Sequence, residues 1–280
     1  MSIFDKFLRI RELGIFSIII IVVIAASIID SRFLTIDSWR AVFLAIPLIL
    51  VMAMGQMMVI ICRHVDISIG SILAFAAITI GFVFIHYPNT SLFMALLITA
   101  SVGTIMGLVN GIIVTRFNVH SIIVTLGTLS LYRGLVFIVS GGRQIDRNDI
   151  PVHIISFSQT SFLFSIPAIL ILSVIIVLIT HLIMRHSVLG REIYATGSNP
   201  EAAHLKGINV TKVTLFCFGV CGMLAGVAGL FYASRFGYVN PGVTGVGIEF
   251  IVIAGVIIGG TSITGGSGSS LGTFLGILLL

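Results

Sequence analysis

Residues 185–212 read RHSVLGREIYATGSNPEAAHLKGINVTK and form the only long polar interruption in the C-terminal half of the chain, where the flanking sequence is apolar. Asn199-Pro200 predicts the start of a helix, because an asparagine side chain caps the first turn and proline fits the first helical position. Glu201 suits the positive end of the helix dipole, and Gly207 provides a left-handed stop. A helix of about two turns is too short to be stable alone in water. We therefore expect either a docking contact for a partner protein or an ordinary surface loop.

The composition around this stretch is that of an integral membrane protein. The chain has 280 residues, of which 58% are hydrophobic and 9% are charged, and its mean hydropathy is +1.21. Soluble domains carry roughly 25% charged residues, so this chain has too few charges to cover a water-exposed surface. Its sequence pI near 9.4 is explained by Lys and Arg in cytoplasmic loops. We expect membrane lipid around the chain and no nucleic-acid partner.

The apolar segments predict an all-α, polytopic membrane protein. A helix needs about 20 apolar residues to cross a bilayer. The predicted spans cover residues 14–30, 41–62, 67–86, 91–114, 120–140, 163–184, 213–233 and 248–264. A ninth begins near residue 271, and the chain ends at Leu280, too soon for that span to cross. The prediction is one transmembrane domain over residues 1–280, with about eight complete helices, a truncated ninth and a truncated C-terminus.

The loop charges favour a cytoplasmic N-terminus, because Lys and Arg are more frequent in cytoplasmic loops. With that orientation the inner loops hold nine basic residues: Lys6, Arg9, Arg11, Arg63, Arg116, Arg185, Arg191, Lys206 and Lys212. The outer loops hold five: Arg32, Arg40, Arg143, Arg147 and Arg235. The polar stretch 185–212 is then cytoplasmic. Residues 141–162 form the longest exterior segment, which is either a contact for an extracytoplasmic partner or a plain connecting loop.

Glycines recur at four-residue spacing within the predicted spans. The sets are Gly103, Gly107 and Gly111; Gly222 and Gly226; Gly255 and Gly259; and Gly272 and Gly276. Small residues at this spacing let helix backbones approach one another closely. The pattern predicts a tightly packed helical bundle.

Ionisable groups at membrane depth are costly and are candidates for function. Asp66 opens the third span in the run VDISIGS (65–71), and Glu249 opens the eighth. Both acids lie at a predicted span end, so an interfacial anchor or a helix cap is the alternative. The polar residues that would line a path for a polyhydroxylated solute are Asn110, Ser121, Thr125, Thr128, Ser130 and Arg133. Serine and threonine also bond back to their own helix, so both interpretations stay open.

Several other chemistries are not supported by the residues. The run GGTSITGGSGSS (259–270) lacks the lysine of a phosphate-binding loop, and we interpret it as a close-packed turn between the eighth and ninth spans. The seven histidines show no metal-binding spacing. Cys217 and Cys221 lie one helical turn apart, a spacing that favours packing over a metal or disulfide, and Cys62 also adjoins apolar sequence. We predict no enzyme site, metal or cofactor on this chain.

A set of motifs occurs in a recognisable order. They are DISIGS (66–71), NG (110–111), TLGT (125–128), GR (190–191), ATGSNPEAA (195–203), GGTS (259–262) and GGSG (265–268). Together they resemble the membrane permease subunit of bacterial ATP-binding-cassette importers for monosaccharides, the ribose, xylose and rhamnose type, from about residue 40 to 280. Arg63-His64, where many relatives have two glycines, and GTLSLYRG (127–134) resemble the rhamnose and autoinducer-2 branch.

The resemblance implies a mechanism divided among subunits. Glu201-Ala202-Ala203 followed by Gly207 is similar to the pattern that forms the coupling helix of importer permeases, which seats in a groove of the ATPase subunit. The implied coupling residues are Gly197, Asn199, Pro200, Glu201, Ala202, Ala203 and Gly207. The implied path residues are Asp66, Ser68, Asn110, Thr125, Thr128 and Glu249. Two permease copies, identical or sister chains, would form the path in the bacterial inner membrane. A periplasmic sugar-binding protein would deliver the solute, and ATP and Mg²⁺ would bind the ATPase.

Two other interpretations compete with this one. In the first, the chain is a secondary transporter driven by an ion gradient, with Asp66 or Glu249 as its proton or cation site. In the second, the chain is a membrane scaffold that transports nothing. Relatives continue for roughly two further hydrophobic segments, so the early end at Leu280 predicts a fragment or a truncated, inactive paralogue.

Overall fold

The computed structural model describes residues 11–160 and 166–280, and within these ranges the backbone forms twelve α-helices and two short 3-10 helices. The α-helices are α1 (Arg11–Ile29), α2 (Ile36–Ile61), α3 (Ile69–His86), α4 (Leu92–Phe117), α5 (Ser121–Ser140), α6 (Val152–Gln159), α7 (Ala168–His186), α8 (Val188–Ser198), α9 (Pro200–Leu205), α10 (Val210–Phe236), α11 (Ile248–Ile258) and α12 (Ser270–Leu279). The 3-10 helices cover Ser31–Leu34 and Arg147–Asp149. Lys6, Arg9 and the predicted boundary between outer loop and sixth span (161–165) lie outside the described residues.

Seven of the described helices are long and apolar enough to cross a membrane: α1, α2, α3, α4, α5, α7 and α10. They correspond to the first seven predicted spans, so the prediction of an all-α polytopic membrane protein is confirmed. α2, α3 and α10 are mostly buried in the bundle, whereas α1 lies at its periphery. α10 is the central helix and packs against α2, α3 and α4.

The predicted eighth span, residues 248–264, is not one long helix. α11 has 11 residues, about 16 Å at 1.5 Å per residue, which is too short for a hydrocarbon core of about 30 Å. Gly259 and Gly260 end the helix, with Gly260 at φ +87°. The chain then turns and α12 packs against α11, with Gly276 against the backbone of Gly255 and Gly259. Residues 248–279 therefore form a hairpin of two short apolar helices.

The glycine spacing in α4 and α10 produces the close helix contact that it predicted. Gly103 and Gly107 of α4 face Gly222 of α10, and Gly226 faces the backbone of Thr99 and Gly103. Because neither helix carries a side chain at these points, the two backbones touch directly. This glycine contact holds α4 against the central helix.

Replacing Gly222 with alanine should loosen this contact. A Cβ there would lie 2.8 Å from the Cα of Gly107 and would clash with the carbonyl oxygen of Gly103. We expect the free energy of unfolding to fall by about 1–3 kcal/mol, measured as a lower thermal midpoint of the purified permease. Gly14→Ala in α1 is the matched control, because a Cβ there meets nothing within 4 Å. Equal midpoints for the two variants would contradict the contact.

The segment predicted as an outer loop, residues 141–162, is more structured than expected. It contains the 3-10 helix Arg147–Asp149 and most of its second half is α6, whose Ile154 and Ile155 are buried. Ser158 of α6 donates a hydrogen bond to the carbonyl oxygen of Ser234 at 2.9 Å. An eight-residue helix is too short to give a clear periodic signal, so the sequence indicated only a loop.

Candidate functional site

The short helix α9 forms as its capping residues predict. The side chain of Asn199 accepts a hydrogen bond from the backbone N–H of Ala202 at 3.0 Å, and Pro200 occupies the first helical position. The chain leaves the helix through Gly207 at φ +83°. α9 has six residues, close to the expected two turns. The local signals in the sequence therefore fixed both ends of this element.

α9 projects from the bundle and is largely uncovered. Ala203 is its only buried residue, at 4% exposure, whereas Glu201, Ala202 and His204 are exposed. Leu205 is 87% exposed, so the helix presents an uncovered apolar side chain beside its polar ones. A concave surface beside the helix is lined by Leu205, Val210 and Thr211 among others. A concave surface beside an exposed apolar side chain is typical of a site that binds another protein.

α8 anchors α9 to the bundle. Gly197 lies directly against the carbonyl oxygen of Ile61, the last residue of α2, and against the backbone N–H of Gly266. The hydroxyl of Tyr194 donates a hydrogen bond to the carbonyl oxygen of Gly268 at 2.8 Å. The Gly-rich run predicted as a close-packed turn thus packs beneath α8. Because Gly197 has no side chain, the end of α8 can approach the backbone of α2, which holds the start of α9 against the bundle.

Three predicted path residues lie together in the structure. Asp66 and Ser68 belong to residues 62–68, which we call the break between α2 and α3, and Asn110 approaches them from α4. The Asp66 carboxylate is fully buried and accepts hydrogen bonds from the N–H and the hydroxyl of Ser68, at 2.9 and 2.7 Å. The Asn110 amide lies 3.2 Å from the carboxylate and 2.8 Å from the Ser68 hydroxyl. The hydroxyl of Tyr132 lies 3.2 Å from the Asn110 side-chain oxygen. These four residues, which we call the Asp66 cluster, satisfy one another's polar groups.

Gln56 of α2 forms hydrogen bonds to the backbone of the break. Its side-chain amide, oriented to satisfy both groups, donates to the Asp66 carbonyl oxygen and accepts from the Asp66 N–H, each at 3.2 Å. The buried backbone of the break therefore has partners although it belongs to no helix. His64, in the same break, packs against Phe218. Burial and the proximity of His120 together lower the pKa of His64 to about 4, so the ring is neutral at neutral pH.

The predicted hydroxyl residues of α5 bond mainly to backbone. Ser121 accepts from the N–H of Val65 at 3.1 Å, and Thr125 donates to the carbonyl oxygen of Ser121 at 2.9 Å. Thr128 is buried and bonds to the carbonyl oxygen of Thr125 at 3.4 Å. Ser130 is exposed. Ser121 and Thr125 thus adjoin the Asp66 cluster through Val65, while Thr128 and Ser130 lie further along the helix.

Glu249 belongs to a separate polar region. It is 6% exposed in the first turn of α11, and Gly70 of α3 packs against its carboxylate. Arg133 of α5 donates a hydrogen bond to the carbonyl oxygen of Thr244 at 2.6 Å and is electrostatically coupled to Glu249. The structure therefore brings three predicted path residues into the Asp66 cluster, places Glu249 in a second region and leaves Thr125 and Thr128 outside both.

The sequence analysis missed one member of the Asp66 cluster, Tyr132, and the residue that bonds to its backbone, Gln56. Gln56 lies in an unbroken apolar run, and Tyr132 lies within a motif that was noted only for its resemblance. A glutamine in the middle of an apolar span was the available signal, because a buried amide needs partners. In the described part of the chain, no group of three His, Cys, Asp or Glu side chains is placed to hold a metal ion. Cys62, Cys217 and Cys221 are buried free thiols.

Comparison with known proteins gives consistent matches. The family described as branched-chain amino acid transport system / permease component matches residues 39–280. The chain is 34% identical over 253 residues to the autoinducer 2 import system permease protein LsrC of Yersinia pseudotuberculosis serotype O:3 (strain YPIII), covering 90% of this chain and 70% of that protein. LsrC of Yersinia pestis (strain Pestoides F) matches with the same identity and coverage. No solved structure matches the chain significantly.

Proposed function

We propose that this chain, which belongs to the branched-chain amino acid transport system / permease component family, translocates a monosaccharide or similar small polyol. The motifs DISIGS (66–71), TLGT (125–128) and ATGSNPEAA (195–203) support this solute class, because they resemble those of monosaccharide importer permeases. The chain is a permease component of an ATP-binding-cassette importer, and thus a transport subunit rather than an enzyme. Such a permease is a multi-pass membrane protein that works with an ATPase and a substrate-binding protein. The similar proteins are named for the import of autoinducer 2, so that molecule is the first substrate to test.

We propose that α9 is the contact for the ATPase subunit. The observation that carries this proposal is a capped helix that is exposed on the bundle surface while its base, α8, is packed tightly against α2. The uncovered Leu205 supplies an apolar contact for a groove on the partner, and Glu201 lies at the helix N-terminus. ATP and Mg²⁺ would bind the ATPase and not this chain.

We propose that two permease copies meet through the uncovered face of α5. Ile123, Leu131 and Ile138 are exposed on this helix, and a Cβ at Gly127 or Gly134 would meet nothing within 4 Å. Small residues on a membrane helix let a second backbone approach closely. Ser130 supplies a polar group on the same helix for the path between copies. The second copy is either an identical chain or a sister chain.

We propose a bacterial inner membrane location with the N-terminus and α9 in the cytoplasm. The segment around α9 holds Arg185, Arg191, Lys206 and Lys212, in keeping with the excess of basic residues in cytoplasmic loops. α6 and the residues around it then face the periplasm. There they are available to the substrate-binding protein, and the surrounding apolar helix faces contact membrane lipid.

The whole permease chain, reconstituted in vesicles with its ATPase and binding protein, tests this function. Uptake of labelled autoinducer 2, and of ribose, xylose and rhamnose in parallel, should require ATP and resist an uncoupler. Omitting the ATPase is the control and should abolish uptake. Uptake that continues without the ATPase and collapses with the uncoupler would show the ion-gradient transporter instead. The absence of uptake of every solute with all partners present would favour an inactive paralogue.

A further inference from the structure

Arg63 adopts a backbone conformation that its residue type disfavours. It lies at φ +67°, in the left-handed region where residues other than glycine are uncommon. Such a conformation persists only when the surrounding structure holds it. In this protein, the end of α8 holds Arg63 in that conformation. The Arg63 Nε donates a hydrogen bond to the carbonyl oxygen of Gly197, and Nη2 donates to that of Ser198, both at 2.5 Å.

These two bonds satisfy carbonyl groups at the C-terminal end of α8. The last carbonyl groups of a helix have no partner within the helix, and a cation at this end also complements the helix dipole. Gly197 and Ser198 are the last two residues of α8, and Asn199 then caps α9. The guanidinium of Arg63 therefore binds the joint between α8 and the exposed helix.

Arg63 also stands where three segments meet. The carbonyl oxygen of Ile61, two residues before it, accepts a hydrogen bond from the N–H of Gly266 at 2.9 Å. Gly265 packs directly against the Arg63 side chain. The end of α2, the end of α8 and the Gly-rich run are thus joined around a single arginine. Asp66, the centre of the buried cluster, follows three residues later in the chain.

We propose that Arg63 is the positioning residue that transmits displacement of α9 to the break between α2 and α3. The two charge-assisted bonds make the base of α9 and the break move as one body. Without them, a smaller part of the displacement of α9 reaches the Asp66 cluster. This inference rests on the proposed function, since it assigns to Arg63 the link between the ATPase contact and the path.

Cys62 provides a test of the link that needs no transport. It is 2% exposed, and its Sγ lies 3.9 Å from the carbonyl oxygen of Ile193 in α8. Arg63→Gly removes the guanidinium and suits the positive φ, so it should fold. We expect N-ethylmaleimide to modify Cys62 about 5-fold faster or more in this variant of the full chain, as measured by peptide mass mapping. Arg116→Gln, at the end of α4, removes the same charge without touching α8 and should leave the rate unchanged. An unchanged rate in Arg63→Gly would overturn the proposal.

The assembled importer provides the second test. In Arg63→Gly, uptake per ATP hydrolysed should fall about 5-fold or more, while the ATPase stays bound and active. Arg63→Lys, which keeps the charge but not the forked pair of bonds, should recover part of the uptake. Parallel loss of ATPase binding and uptake would assign Arg63 a merely structural role and overturn the proposal. If the unaltered importer shows no ATP-driven uptake, the proposed function fails, and the reactivity of Cys62 still decides whether the link exists.

Discussion

Replacing Glu201 with arginine should release the ATPase subunit from the permease. Glu201 is exposed in the first turn of α9, where a negative charge is favoured by the helix dipole and a positive charge is not. The new side chain also places a cation in the surface that we propose for the partner. We expect recovery of the ATPase in a detergent pull-down to fall about tenfold or more, since reversing a charge at an interface costs several kcal/mol.

Asp37→Arg is the matched control for this variant. Asp37 is also exposed in the first turn of a helix, α2, which begins at the opposite end of the bundle from α9. The same charge reversal there should leave the ATPase bound. Full recovery of the ATPase by the Glu201 variant would show that α9 does not contact the ATPase and is an ordinary surface helix.

Gly207→Arg tests the same contact by another physical route. A Cβ at Gly207 meets nothing within 4 Å, so the new side chain does not clash inside the permease. Its backbone, however, must hold φ +83°, at a cost of about 1–2 kcal/mol for a residue with a Cβ. We expect the turn after α9 to shift and the guanidinium to project toward the partner, and ATPase recovery to fall in the same pull-down. If Glu201→Arg releases the ATPase and Gly207→Arg does not, only the first turn of α9 contacts the ATPase.

The features that the sequence predicted well depend on neighbouring residues. The caps of α9 lie within nine residues of one another, from Asn199 to Gly207, and each acts on the backbone beside it. The seven long helices followed from runs of apolar residues, and the contact of α4 with α10 followed from glycine spacing. The resemblance to importer permeases was confirmed by the family and by its relatives.

The features that the sequence did not predict depend on contacts between distant segments. The apolar run 248–264 is long enough for a span, yet Gly259-Gly260 turns the chain back so that α12 packs on α11. The capping of α8 by Arg63 joins residues 134 positions apart. The sequence analysis noted Arg63 as a basic loop residue and as a departure from a glycine pair, because nothing near it in the sequence indicates that its side chain reaches Gly197. Such pairings become visible only when the helices are assembled.

Replacing Asp66 with alanine should both destabilise the permease and stop uptake. The carboxylate is the acceptor for the Ser68 N–H and hydroxyl and lies within hydrogen-bond distance of the Asn110 amide. Its removal leaves buried donors without a partner, which costs about 1–3 kcal/mol for each group left unsatisfied. We expect a lower thermal midpoint of the purified permease and loss of most ATP-driven uptake. Asp37→Ala, which removes an exposed carboxylate in the first turn of α2, should leave the midpoint nearly unchanged.

Asp66→Asn distinguishes a structural role of this carboxylate from a role that needs its charge. The asparagine oxygen still accepts the two hydrogen bonds from Ser68, so a residue that only shapes the break should retain most of the uptake. A site for a cation or proton would lose uptake as completely as in Asp66→Ala. The double variant Asp66→Ala/Asn110→Ala then measures the coupling within the cluster. Because it removes donor and acceptor together, its loss of stability should be smaller than the sum for the two single variants. Additive losses would show that the two side chains do not stabilise one another.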